Sequence, residues 1–336
     1  MATEIAEARV HLRRATLLQY IQRLAVPFLL IMFIVYLGFS NATFITPANL
    51  VSIASSIAPI AIVAMGMALL LISGNFDLSV GGVGALGVVA GSLVINHTNT
   101  LVGVLMLIVM GLVCGAINGF LVTVVGINSL VATLGTGYIW SGVAYVLAGS
   151  SPIILKSNAL PNFITFAPAG VQVSVLIAVA VIVAAYFYSR TVMGYSLYAI
   201  GSNKEAAKLA GIPVRTATFL AFVLTGLFAG VASIITVAYI GGGVPETGTE
   251  WPLEAIAAAV VGGVSITGGE GSIWAAVVGM ALIGVVQNGL VLLNINSNLQ
   301  TVVLGIIIIV AVATDVRFRQ RFGEMVTSVG QKSLKE

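Results

Sequence analysis

From Leu24 to Ser189 the chain carries only two charged residues, Asp77 and Lys156. Apolar runs of about 20 residues recur through that stretch, the length an α-helix needs to cross a hydrocarbon core of about 30 Å. This single feature excludes a soluble globular domain, which would carry about one quarter charged residues, whereas this chain has 7%. A transmembrane β-barrel is excluded as well, because its strands alternate apolar and polar residues and these runs do not. The chain therefore reads as an all-α polytopic membrane protein embedded in a lipid bilayer.

Ten spans are expected, roughly at 24–39, 50–73, 79–96, 100–124, 128–148, 172–189, 216–240, 252–267, 272–293 and 298–314. Spans three, five and eight are short or rich in glycine, so broken or re-entrant helices are allowed there. The first run follows Arg9, Arg13, Arg14 and Arg23 and lacks a small-residue cleavage site, so it reads as a retained anchor. An even number of spans puts both tails and the polar island at 190–215 on one side. That side then holds every Lys and Arg except Lys156, and the other receives Lys156, Glu246 and Glu250. Positive residues near span ends mark the cytoplasmic face. The expected organisation is a basic cytoplasmic N-terminal tail (1–23), a transmembrane domain (24–314) containing the cytoplasmic island 190–215, and a basic cytoplasmic C-terminal tail (315–336). The basic residues flank spans, so they do not point to nucleic acid.

The chain also repeats itself. Asn118-Gly119-Phe120-Leu121-Val122 recurs as Asn288-Gly289-Leu290-Val291-Leu292, and Asn128-Ser129-Leu130 as Asn298-Leu299-Gln300, both at an offset of 170. Spans 2–5 would then match spans 7–10, entering from opposite sides: two inverted four-helix repeats, a common plan in transporters. Chance similarity between apolar segments is the alternative. Gly111, Gly115 and Gly119, Gly87 and Gly91, and Gly226 and Gly230 have the four-residue spacing that lets membrane helices approach closely.

Catalytic chemistry is poorly supplied. The two histidines, His11 and His97, fall in a tail and a loop, and Cys114 is the one cysteine, a buried structural thiol by position. No metal site and no cofactor of its own is expected. Gly82, Gly84 and Gly87 match GxGxxG but lie in an apolar span with no βαβ pattern. No Gly-Lys pair occurs, so the chain has no P-loop. Asp77, in GNFDLSVG between spans two and three, has two readings. A carboxylate at membrane depth costs about 2.5–3.5 kcal/mol or more and marks a pathway or gate, or it caps the next helix through the amides of Ser79 or Val80. Asn118 and Asn288 either bond between helices or touch the solute. Glu254 either favours a helix N-terminus or lines an external mouth.

The island contains a short helix at about 203–210. Ser202 with Glu205 forms a capping box, Gly211 supplies the left-handed C′ residue, and Pro213 stops continuation. Ala206, Leu209 and Ala210 share a face, opposite Lys204, Glu205 and Lys208. Two turns are too short to be stable alone, so this helix needs a partner surface.

These residues, taken together, resemble the membrane permease subunits of bacterial ABC importers for monosaccharides, the ribose-type permeases. The resemblance covers about residues 45–315. It rests on GNFDLSVG (74–81), GAINGFLV (115–122), VATLGT (131–136), YAIGSNKEAAKLAGI (198–212), AIAAAVVGGVSITGGEGS (255–272) and NGLVLL (288–293). It departs from the family pattern at Ser129-Leu130, where a Pro-Phe pair is common, at Phe76, and at Glu254, where Asp is commoner. The resemblance implies a multi-pass protein of the bacterial inner or plasma membrane, working as a homodimer or with a second permease. Separate ABC ATPase subunits bind the ATP, and an extracytoplasmic substrate-binding protein delivers the sugar. It implies that Ser202, Asn203, Glu205, Ala206, Leu209 and Gly211 couple to the ATPase, and it leaves Asp77, Asn118, Asn288 and Glu254 as pathway residues. The rivals are the same architecture for a nucleoside or amino acid, an ion-gradient-driven secondary transporter, and an intramembrane enzyme, for which only Asp77 is available.

Overall fold

The computed structural model of the chain describes residues 24, 26–296, 298–307, 309, 310 and 313. The basic tails, and with them the expectations for 1–23 and 315–336, lie outside the described residues. Thirteen helices are defined: α1 (Val26–Ser40), α2 (Pro47–Ile72), α3 (Val80–His97), α4 (Thr100–Phe120), α5 (Ser129–Ala148), α6 (Ala159–Thr165), α7 (Val173–Ser189), α8 (Val192–Ser202), α9 (Lys204–Leu209), α10 (Val214–Ile240), α11 (Trp251–Gly262), α12 (Ile273–Leu292) and α13 (Asn298–Ile307). The protein is thus an all-α polytopic membrane protein.

Local chemistry sets the ends. Thr46 caps α2 through the Asn49 amide, with Pro47 at the first helical position, where its missing N–H costs nothing. Asn99 caps α4 through Val102, Asn128 caps α5 through Leu130, and Ser272 caps α12 through Ala275. After Phe120, α4 continues through one π-helical turn, Leu121–Val125, and stops at Gly126.

A helix lies in each of the ten expected spans. Among the described residues, six are long and apolar enough to cross a membrane: α2, α3, α4 with its π turn, α5, α10 and α12. A seventh is obtained if α7 and α8, bent by 71°, count as one span. The segment expected to span at 252–267 is a twelve-residue helix, α11. At 1.5 Å per residue it is about 18 Å long and falls short of the bilayer core. It stops because Gly263 takes the left-handed conformation (φ 105°).

α2, α3 and α10 form the core. From Ala61 to Ile72 every residue of α2 is buried, and α3 is enclosed on nearly all sides. Helices that are hydrophobic all round belong there. α4 and α5 instead expose apolar stripes, including Leu101, Leu105, Val109 and Val113 on α4. The helix pairs have a pattern: α4 packs on α10 and α12 on α2, α3 on α10 and α11 on α2, α3 on α4 and α11 on α12. Exchanging α2 with α10, α3 with α11 and α4 with α12 converts each pair into its counterpart.

The most extensive seam is α4–α10. A Cβ on Gly111 would collide with the Gly226 carbonyl, one on Gly115 with the Phe222 carbonyl, and one on Gly230 would stand 2.6 Å from the Leu107 carbonyl. Side chains at these glycines would force the backbones apart, and overpacking of this kind costs typically about 1–3 kcal/mol. Gly226→Leu is expected to lower the melting temperature and the monodisperse fraction in detergent, whereas Gly305→Leu, at a position with open space around it, leaves both unchanged.

Candidate functional site

The polar island folds as two helices rather than one. Thr191 accepts a hydrogen bond from the Gly194 amide (3.1 Å) and starts α8 immediately after α7 ends. Gly194 makes the sharp turn possible, since a Cβ there would stand 2.6 Å from the Ser189 backbone. Arg190, at the corner, lies 5.2 Å over the Tyr186 ring, which in turn meets Trp274 at 5.6 Å. α8 buries Leu197 and Ile200.

A single extended residue, Asn203 (φ −160°), separates α8 from α9. Its side chain accepts from the Ala206 amide at 2.9 Å and is the cap of α9. Ser202, expected as that cap, is instead the last residue of α8, and its hydroxyl donates to the Tyr198 carbonyl at 2.9 Å. The capping-box reading of Ser202 and Glu205 is therefore corrected: with α8 continuing to Ser202, the next residue takes the capping position. α9 is fixed to the protein through Ala207, 4% exposed, and by the hydrogen bond from the Ile212 amide to the Ala207 carbonyl (3.0 Å). Gly211 has φ 79°, the left-handed value expected of it. Asn203, Lys204, Glu205, Ala206, Lys208 and Ala210 are exposed, and Leu209 is 89% exposed. Leaving a leucine in water forgoes about 1.5–3 kcal/mol of burial.

Of the residues singled out as pathway candidates, Asp77, Asn118 and Glu254 are buried and Asn288 is half-buried. Asp77 is 1% exposed. One of its oxygens accepts from the Ser79 amide (2.8 Å) and the Ser79 hydroxyl (2.6 Å), so the carboxylate closes the first turn into α3. Asn118 donates to Ser79 Oγ (2.6 Å) and faces both Asp77 oxygens at 3.4 Å, while its own oxygen accepts from Thr136 (2.7 Å). The Leu78 amide donates to Thr133 Oγ1 (3.0 Å) and the Phe76 amide to Ser129 Oγ (3.4 Å). The 73–79 turn is thus tied to α4 and α5 at once. Ser129, Thr133 and Thr136 were not singled out from the sequence. Their spacing of four and three residues, which places them on one helix face, was the available signal.

Asn288 forms a reciprocal pair with Asn49, both bonds at 3.0 Å, joining α12 to the start of α2. Glu254, 5% exposed, accepts from Gln287 at 3.3 Å. Cys114 is buried in α4.

The segment before α11 descends into the protein. Gly243 is pressed on the Val88 backbone of α3, while a Cβ on Gly81 would stand 2.6 Å from the Gly248 carbonyl. Val88 and Gly81 are two turns apart, about 10 Å along α3. Along this descent Glu246, Thr249 and Glu250 are exposed, as is Tyr145 of α5. Tyr138, two turns below Tyr145, is 72% exposed.

Asp77 and Asn118 act as one unit, so their effects on stability should not add. Replacing them by Ala and Leu, singly and together, is expected to give a coupling energy of about 0.5–3 kcal/mol in thermal unfolding. Additivity would show that the knot is not a unit.

Residues 49–312 match the family described as branched-chain amino acid transport system / permease component. The chain is 34% identical over 327 residues to the probable ABC transporter permease protein y4mJ of Sinorhizobium fredii, covering 94% of this chain and 95% of that protein. It is 34% identical over 323 residues to the ribose import permease protein RbsC of Escherichia coli (94% and 99%) and 37% identical over 285 residues to the L-arabinose transport system permease protein AraH of the same species (83% and 85%). No solved structure matches it.

Proposed function

The chain belongs to the branched-chain amino acid transport system / permease component family, and from that premise we propose that it is the transmembrane permease subunit of an ABC importer for a monosaccharide or sugar-like polyol. It is a transport protein and not an enzyme. The observation that carries the mechanism is α9: a helix capped, anchored by Ala207, and left with Leu209 unpartnered on the face it shares with Ala206 and Ala210. A helix of this length with an exposed leucine needs a partner surface, and an ATPase subunit supplies one. The sugar cargo is favoured over an amino acid or nucleoside because relatives aligned over most of the chain are named for ribose and L-arabinose.

In this reading both termini and the 190–215 segment are cytoplasmic in the inner or plasma membrane, and all ten apolar segments belong to the membrane domain. The exchange of helix pairs between α2–α4 and α10–α12 supports two inverted repeats. The working assembly contains two permeases, identical or paired, two ATPase subunits that bind ATP, and an extracytoplasmic binding protein. Ser202, Asn203, Glu205, Ala206, Leu209 and Gly211 form the coupling surface. The solute path runs along Tyr138, Tyr145, Glu246, Thr249 and Glu250, because exposed carboxylates on irregular backbone at this depth require water rather than lipid. Asp77, Asn118, Asn288 and Glu254 serve the path as the frame that holds this wall in place.

ATP closes the ATPase pair and moves α9, shifting the permease between outward and inward access; each ligand biases a two-state element through its differential affinity. With its ATPase subunits and binding protein in proteoliposomes, the wild type should take up sugar only when ATP is supplied, and the chain alone should take up none. Glu205→Arg and Leu209→Asp are each expected to insert normally but to lose ATPase association or uptake. Full ATP-driven uptake by both variants would contradict the coupling assignment, and uptake by the chain alone would favour a gradient-driven transporter.

A further inference from the structure

Three chain segments meet at one point beside α9 with almost no side chain between them. They are the C-terminal end of α2, the C-terminal end of α8, and the turn 263–272 that links α11 to α12. The Gly269 amide donates to the Ile72 carbonyl at 2.8 Å. That carbonyl sits in the last turn of α2, where no intrahelical donor remains. Gly201, next to last in α8, lies against the same carbonyl: a Cβ on Gly201 would collide with Ile72 O and with the Gly269 amide, and would stand 3.1 Å from the Gly268 carbonyl carbon. From the other side, a Cβ on Gly268 would stand 2.9 Å from the Gly74 amide and 3.0 Å from Gly201 Cα. One on Gly269 would stand 2.5 Å from Ser202 Oγ. Gly268 and Gly269 also hold left-handed conformations, φ 90° and 77°, which shape the turn toward the junction.

The position of this junction gives it a consequence. Only Ser202 and Asn203 separate Gly201 from α9. On the other side, Ile72 leads directly into the 73–79 turn, whose Phe76 and Leu78 amides and Asp77 carboxylate hold α5 and α4. Force applied to α9 therefore has a path of backbone contacts, with no compliant side chain in it, into α2 and the 73–79 turn to which the polar knot is fastened. Packed backbones transmit displacement because they cannot deform continuously.

We infer that Gly201 is the positioning residue through which α9 drives the membrane helices: its missing side chain seats the end of α8 on the Ile72 carbonyl and the 268–269 turn, so that α8, α2 and the turn move as one. This rests on the reading of α9 as the ATPase-docking helix. Gly201→Ala would lift α8 from that seat. The docking surface would survive, and the transfer of motion would be lost.

The test uses the assembled permease–ATPase complex in proteoliposomes, supplied with its sugar-loaded binding protein, and measures sugar moved per ATP hydrolysed. Gly201→Ala is expected to retain its ATPase subunits and to hydrolyse ATP, while sugar moved per ATP falls about tenfold, a loss of coupling within the usual 1–3 kcal/mol range. Gly305→Ala, in open space, should keep the wild-type ratio. A wild-type ratio in Gly201→Ala would overturn the inference, as would a proportional fall in hydrolysis and transport. Hydrogen exchange on the wild-type complex tests the same point without a variant that could misassemble. Trapping with nucleotide should change protection in 199–204 and 265–272 together. Change confined to 204–209 would overturn the inference while leaving α9 as the docking helix. Failure of the wild type to associate with any ATPase would remove the docking premise itself, and the inference with it.

Discussion

The contact on which the rest of the structure depends is the backbone approach between α4 and α10. Lipid tails are as apolar as leucine, so burial of apolar surface cannot by itself drive membrane helices together. What remains is close packing, and Gly111, Gly115, Gly226 and Gly230 provide it by leaving carbonyl oxygens of the neighbouring helix where Cβ atoms would stand. The same device recurs where α3 crosses α5 at Gly82 and Gly137 and where α12 meets α11 at Gly279, and Gly66 of α2 sits directly against Thr225 of α10. Glycine supplies proximity without choosing a register. The polar groups choose it: Asp77, Ser79, Asn118 and Thr136 lock α3, α4 and α5 to one another, and Asn49 with Asn288 fixes α12 on α2.

Much of this was legible in the sequence because the bilayer reduces the alternatives. The apolar runs located the helices, and the four-residue glycine spacings located the seam; Gly111 and Gly226 do meet, and Gly87 and Gly91 both pack on Leu107. Of the two readings the sequence allowed for Asp77, capping is the one that its bonds from the Ser79 amide and hydroxyl match. Other features were not legible because they depend on tertiary contacts. α8 carries Gly194 and Gly201, poor helix formers in isolation, and it is held by the burial of Leu197 and Ile200. Once α8 extends through Ser202, the capping position passes to Asn203, and no local pattern distinguishes these neighbouring candidates. The shortness of α11 reflects the descent of 244–250 along α3, which only the glycine contacts with α3 reveal.

The candidate residues separate by burial in a way that polarity alone does not show. A charge in an apolar chain attracts attention, yet Asp77 and Glu254 are enclosed and engaged. The exposed groups are Leu209 on α9 and, on the descending segment, Glu246 and Glu250. Exposed polar groups on irregular backbone beside the core, and an exposed leucine on a short capped helix, are the features that a monomeric membrane protein would have no reason to keep. Both find a reason in an assembly with a solute path and an ATPase.

If an ATPase subunit covers α9 as proposed, the chain's composition offers a direct measurement of it. Its one native cysteine, Cys114, is buried, so a Leu209→Cys variant reports on a single accessible position. In native membranes, a maleimide reagent is expected to modify that cysteine rapidly on the permease alone and slowly once the ATPase subunits are bound. Equal rates of modification in the two states would contradict the account.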